Sequence, residues 1–120
     1  MRDFRKLNVW LDGINLAKET YHLSELLPAE EKFGLKSQVC RASVSVPSNI
    51  AEGCSRNSQI EYKRFLEIAM GSAFEMETQF IIIKELNLIK EEKLATIFEM
   101  LNKEQRSINN LINRIKETDR

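Results

Sequence analysis

Val46-Pro47-Ser48-Asn49-Ile50-Ala51-Glu52-Gly53 sets a proline and several helix-capping residue types inside a chain that otherwise reads as continuous amphipathic helix. Proline has no backbone N–H and its ring crowds the preceding turn, so a helix through Pro47 must bend or restart. Small apolar residues continue on both sides of it, with Leu35, Val39, Ala42 and Val46 on one face and Cys40, Val44, Ala51 and Cys54 widening that face. The spacing therefore predicts one kinked helix, starting between Glu30 and Gly34, with the hydroxyls of Ser43 and Ser45 helping to satisfy the broken turn. Residues 53–58 close it. Small side chains let neighbouring axes approach closely, which suits an element at the centre of a bundle.

Working outward, Asn8 is an N-cap residue type, and Trp10, Ile14, Ala17 and Tyr21 follow as an inward stripe of a first helix that Pro28 ends. After the central segment, Ser58 and Glu61 have the spacing of a capping box. Tyr62, Leu66, Ala69, Ala73, Met76, Phe80 and Ile83 then form an unbroken heptad-like seam ending near Asn87. Phe65, Ile68, Phe74, Ile81 and Ile82 lie off that seam. A helix apolar on so much of its circumference needs a second partner beyond its own core, and these five residues are the expected oligomer interface.

The fourth helix runs from about Lys90 to Glu117 with Leu94, Ile97, Phe98, Leu101, Ile108, Leu111, Ile112 and Ile115 toward the core. Glu104 and Gln105 interrupt this stripe; they either reach solvent or hydrogen-bond to a polar group facing them, and as long polar side chains they are expected to take the first course. Four helices with short connections fold most simply as an all-α, antiparallel up-down four-helix bundle, one domain over residues 1–120.

The segment Asn49 to Gly53, Arg56, and the run Tyr62-Lys63-Arg64-Phe65-Leu66-Glu67-Ile68-Ala69-Met70-Gly71-Ser72 resemble a signature of one four-helix bundle family. That family includes the proteins encoded in intervening sequences of bacterial 23S ribosomal RNA genes and, related to them, accessory proteins of diversity-generating retroelements. The resemblance extends over nearly the whole chain and implies a ring-shaped, pentameric homo-oligomer.

Eighteen basic and 18 acidic side chains give zero formal net charge, so the whole-molecule field favours neither nucleic acid nor an anionic membrane. The basic character expected of the retroelement accessory proteins is missing. Local candidates for nucleic-acid contact are Arg41, Arg56, Lys63 and Arg64, with Asn57 and Ser58 nearby, while Arg2, Arg5 and Lys6 form a second basic group. Arg41 and Arg56 are also candidate ion-pair partners of Glu52 and Glu75.

The chemistry-bearing inventory is short. His22 is the only histidine, no glycine-rich phosphate loop is present, and Glu-x-x-His pairs for a di-metal bundle are absent. Cys40 and Cys54 lie roughly 20 Å apart along one helix axis, beyond disulfide reach, and read as free, buried thiols. No catalytic residue, cofactor or metal site is assigned. The amino terminus lacks the apolar run of a secretory signal, and Phe80-Ile81-Ile82-Ile83 is far below membrane-spanning length, so the expected location is cytoplasmic. The resulting expectation is a non-enzymatic homo-oligomeric scaffold or adaptor for RNA or a nucleic-acid-binding protein, the alternative being a protein-interaction module without nucleic acid and, ranked below both, an enzyme with a site between subunits.

Overall fold

A computed structural model describes residues 2–118. A 3-10 turn at Phe4–Lys6 leads into α1 (Asn8–Ser24), and a second at Ala29–Glu31 precedes α2 (Leu35–Cys54). Two longer helices follow, α3 (Gln59–Glu85) and α4 (Glu91–Thr118). Helices adjacent in sequence pack side by side, α4 closes on α1, and the result is an up-down four-helix bundle 48 Å long and about 20 Å across.

Local chemistry sets the boundaries. The Ser58 hydroxyl accepts from Glu61 N–H at 3.1 Å and starts α3. Asn87, at φ 55°, ends it in a left-handed turn in which Leu88 N–H donates to the Ile83 carbonyl at 3.0 Å, the pattern of a Schellman stop. Asn8 is not a cap as expected; it is the first helical residue, after Leu7. α1 has no side-chain cap, while the preceding 3-10 turn has one, in which Asp3 accepts from Arg5 N–H.

α2 continues unbroken from Leu35 to Cys54 through the buried Pro47. Pro47 removes the N–H that would reach the Ser43 carbonyl, four residues back, and the two hydroxyls expected to repair the turn bond elsewhere. Ser43 donates to the Cys40 carbonyl at 2.7 Å, and the Ser45 hydroxyl pairs with Ser72 on α3 at 2.8 Å. The Asn49 side-chain amide adds a bond to the Ser45 carbonyl, at 2.8 Å.

All seven seam residues of α3 are buried, facing Val39, Ala42, Val46 and Ile50 of α2 and Leu94, Ile97, Leu101, Ile108, Ile112 and Ile115 of α4. Phe98 and Leu111 are only partly buried against this core. The inward stripe of α1 is turned by one residue from the expected one: Val9, Gly13, Leu16, Thr20 and Leu23 are buried, whereas Trp10, Ile14 and Ala17 are half-buried and Tyr21 is exposed. Gly13 fits this rotation. A Cβ there would stand 3.2 Å from Pro47 Cβ and 3.0 Å from Glu104 Oε2, a tight contact that would make those neighbours give by a few tenths of an ångström. Val44, expected to widen the inner face of α2, is likewise turned outward.

Glu104 overturns its own expectation most clearly. It occupies a core position of α4, is 1% exposed, and neither carboxylate oxygen has a hydrogen-bond partner. Burial, helped by the nearby Asp12 charge and opposed by Lys103, pushes its pKa up to about 8. The carboxyl is therefore mainly protonated at neutral pH. Gln105, its neighbour, does not stay free either: it donates to Glu77 on α3 at 2.8 Å.

Two outcomes follow for stability. In the unfolded chain Glu104 ionises near 4.5, while in the fold it keeps its proton up to about 8. Its contribution is thus fully present below pH 4.5 and is lost as pH rises toward 8, by about 1.4 kcal/mol per unit at most. Thermal melts at pH 5, 6.5 and 8 should show Tm falling in the wild type and falling less in Glu104→Gln; parallel profiles would assign the pH dependence to other groups. Second, a Cβ at Gly53 would lie 2.9 Å from Phe65 Cβ and 3.3 Å from the Tyr62 carbonyl. Gly53→Ala should therefore lower the unfolding free energy measured in urea by about 1–3 kcal/mol.

Candidate functional site

The outer face of α3 carries several large apolar side chains that the bundle leaves uncovered. Ile68, Phe74, Ile81 and Ile82 are 43, 55, 40 and 41% exposed. Phe65 is placed differently: it is half-buried, against Gly53 at the end of α2, with the Arg56 guanidinium 4.6 Å above its ring. Ile60 and Leu86, which the seam analysis did not single out, extend the exposed face to both ends of the helix, at 73 and 59%. Their exposure was readable from the same off-seam spacing.

Gly71 lies in the middle of this face, with nothing within 4 Å of the place where a Cβ would stand. Glycine in a helix interior is less favourable than alanine by about 1 kcal/mol. No contact within the chain requires it, so its value lies in a flat spot on the outside of α3.

A concave counterpart lies between α1 and α2. Trp10, Ile14, Ala17, Val44, Pro47 and Ala51 line a shallow apolar groove of about 310 Å³. Phe4 closes one end, with its ring edge-on to Trp10 at 5.1 Å. The groove exists because α1 is turned by the Gly13 contact, which leaves its Trp10 stripe outside the core.

The basic candidates divide. Arg56, Lys63 and Arg64 lie together around the α2–α3 connection, but Arg41 is exposed about four turns back along α2, roughly 22 Å from Arg56 by helical rise. The amino-terminal segment joins the first group. Arg2 donates to the Arg56 carbonyl and to the Gln59 side chain, and its guanidinium lies 4.1 Å over the Tyr62 ring. Arg56 pairs with Glu52 at 3.0 Å, as the sequence suggested, and its Nε has no hydrogen-bond partner. These arginines are held flat against aromatic rings, which costs them little further ordering when a ligand arrives.

The groups tested for chemistry stay apart. His22 is exposed near the end of α1, and Cys40 and Cys54 are buried, free thiols. Burial pushes the Cys54 thiol up, only partly offset by its hydrogen bond to Tyr62, whose own pKa burial raises to about 12. Neither group is activated as a nucleophile or base at neutral pH. Among the described residues no set of three His, Cys, Asp or Glu side chains converges as metal ligands, and no helix is long and apolar enough to cross a membrane.

Comparison with known proteins finds a match to the family described as 23S rRNA-intervening sequence protein over residues 5–110. The fold is similar to the crystal structure of a protein of unknown function from the S23 ribosomal protein family of Bacteroides thetaiotaomicron VPI-5482. The TM-score is 0.81 at 21% identity, over 87% of this chain and 97% of that one. No curated protein matches the chain.

Proposed function

The chain belongs to the 23S rRNA-intervening sequence protein family, and from that membership we propose that it is a non-enzymatic homo-oligomeric bundle acting in the cytoplasm as a scaffold or adaptor for RNA or a ribonucleoprotein. The exposed apolar face of α3 carries the reading. Six large apolar side chains between residues 60 and 86, all at least 40% exposed, lie on the outward side of α3 and its C-cap, and an accumulation of exposed apolar surface supports association there.

The geometry favours a particular mode of assembly. The α3 ridge is convex, the α1–α2 groove is concave, and they are different surfaces of the same chain. A contact between unlike surfaces of identical subunits is heterologous, so each copy presents a free ridge and a free groove until a ring closes. The resemblance to accessory proteins of diversity-generating retroelements suggests five subunits. In this arrangement Gly71 allows a neighbouring subunit to approach the α3 backbone closely, and repetition of one modest basic surface strengthens binding to an extended RNA through avidity.

Light scattering on the purified protein should give a mass several times the 14.0 kDa of one chain. Phe74→Glu and Ile82→Glu, each placing a charge on the ridge, should shift that mass toward the single chain with helical circular dichroism unchanged. A wild-type protein that remains a 14.0 kDa species at high concentration would remove the assembly. Native mass spectrometry after gentle purification reports subunit number and retained nucleic acid together, and a stable oligomer without affinity for RNA would favour the protein-interaction alternative.

A further inference from the structure

We propose that one end of the bundle, where α1 and α3 begin and α2 and α4 end, is a docking surface for the phosphodiester backbone of a nucleic acid and does not read its bases. The inference rests on the nucleic-acid half of the reading above and assigns it to a defined place on the molecule.

Zero net charge conceals an axial asymmetry. The connections bring Arg2, Arg5 and Lys6 before α1, Arg56 after α2, Lys63 and Arg64 in the first two turns of α3, and Arg114 and Lys116 in the last turns of α4 to the same end. The acidic groups there, among the described side chains, are Asp3, Asp12, Glu52, Glu61 and Glu67, of which Asp3, Asp12 and Glu52 are committed to Arg5, Lys103 and Arg56. At the far end Glu25, Glu30, Glu31, Glu85, Glu91 and Glu92 stand against Lys32, Lys36, Lys84, Lys90 and Lys93, with Arg41 two turns into α2, so that end is close to neutral. A polyanion approaching this molecule is thus drawn to one end and finds little attraction at the other.

The local surface has the right chemistry. Two open depressions lie at the basic end. Lys6, Asn8, Ser107, Asn110 and Arg114 line one of about 370 Å³, between the start of α1 and the last turns of α4. Arg2, Ser55, Arg56 and Asn57 line another of about 490 Å³ at the α2–α3 connection. Cationic side chains beside hydroxyl and amide groups are the set that contacts phosphate oxygens.

What this end lacks argues for the backbone as the ligand. Base recognition on single strands uses open aromatic faces for stacking. Here the Tyr62 ring is 4% exposed and lies under Arg2, Phe65 lies under Arg56, and Phe4 is held between Arg5 and Trp10. The rings serve to hold the guanidinium groups in place, so binding depends on phosphate spacing and charge and varies little with sequence.

The test is fluorescence anisotropy with short labelled RNAs of different sequence, single-stranded and duplex, and with duplex DNA, between about 50 and 200 mM salt. Lys6→Glu with Arg114→Glu, and separately Lys63→Glu with Arg64→Glu, should weaken binding about ten-fold or more and flatten the salt dependence by about one unit per phosphate contact removed. Lys90→Glu with Lys93→Glu, at the far end, should leave both nearly unchanged. Light scattering and melting curves on the same samples establish that assembly and fold are intact. Equal losses from both ends, or affinities that differ strongly between sequences, would overturn the assignment while leaving RNA binding in place. No wild-type binding at 50 mM salt would remove both.

Discussion

The bundle is organised around a place where a side chain is missing. At mid-height the backbone of Gly13 lies against the ring of Pro47 and the carboxyl of Glu104, and a single Cβ would crowd both. The contact favours the observed rotation of α1, in which the face bearing Gly13 lies closest to α2 and α4. Val9, Leu16 and Leu23 then enter the core, while Trp10, Ile14 and Ala17 are left to line an outer groove. It also explains how a proline fits inside a central helix: the ring that disrupts α2's hydrogen bonding fills the space that Gly13 vacates. The groove proposed as one half of the assembly contact is thus a consequence of core packing.

The same close approach has an electrostatic cost. Glu104 occupies a heptad position that an apolar residue would fill without penalty, and its two oxygens are buried with no hydrogen-bond partner among the protein's groups. Proton uptake is the only relief available, since Lys103 turns instead to Asp12 at 3.5 Å. A neutral carboxyl is tolerated in the core where a carboxylate would not be. In the folded state near pH 7 the chain therefore carries close to one unit more positive charge than its composition states.

How much could be read in advance depended on whether the relevant signal was local. The α3 seam was legible in full because its seven residues are all apolar or aromatic and obey one period without a break. The Ser58 cap and the stop near Asn87 were legible for the same reason: each is decided within a single turn. The α1 stripe was misread because two of its members, Gly13 and Thr20, are not hydrophobic; the Thr20 hydroxyl satisfies itself on the Leu16 carbonyl at 2.8 Å and so needs no water. Polarity likewise misdirected the reading of Glu104, whose burial is set by α1 and α2 and not by its neighbours in α4. Arg41 joined Arg56 in sequence only; along a helix axis the two are far apart.

The charge pattern illustrates the non-local case most directly. Counted along the chain, acids and bases balance and no segment is strongly basic, which argues against a polyanion partner. An up-down bundle, however, superposes the start of every odd helix on the end of every even one. Residues as distant in sequence as Lys6 and Arg114 then border the same depression. Screening makes this redistribution matter. At physiological salt the Debye length is about 8 Å, far shorter than the 48 Å bundle, so a ligand at one end responds to the charges there and not to the total. Neutrality of the whole chain and attraction of a phosphate backbone to one end are therefore compatible, and the helix connections, more than the composition, determine where such a ligand binds.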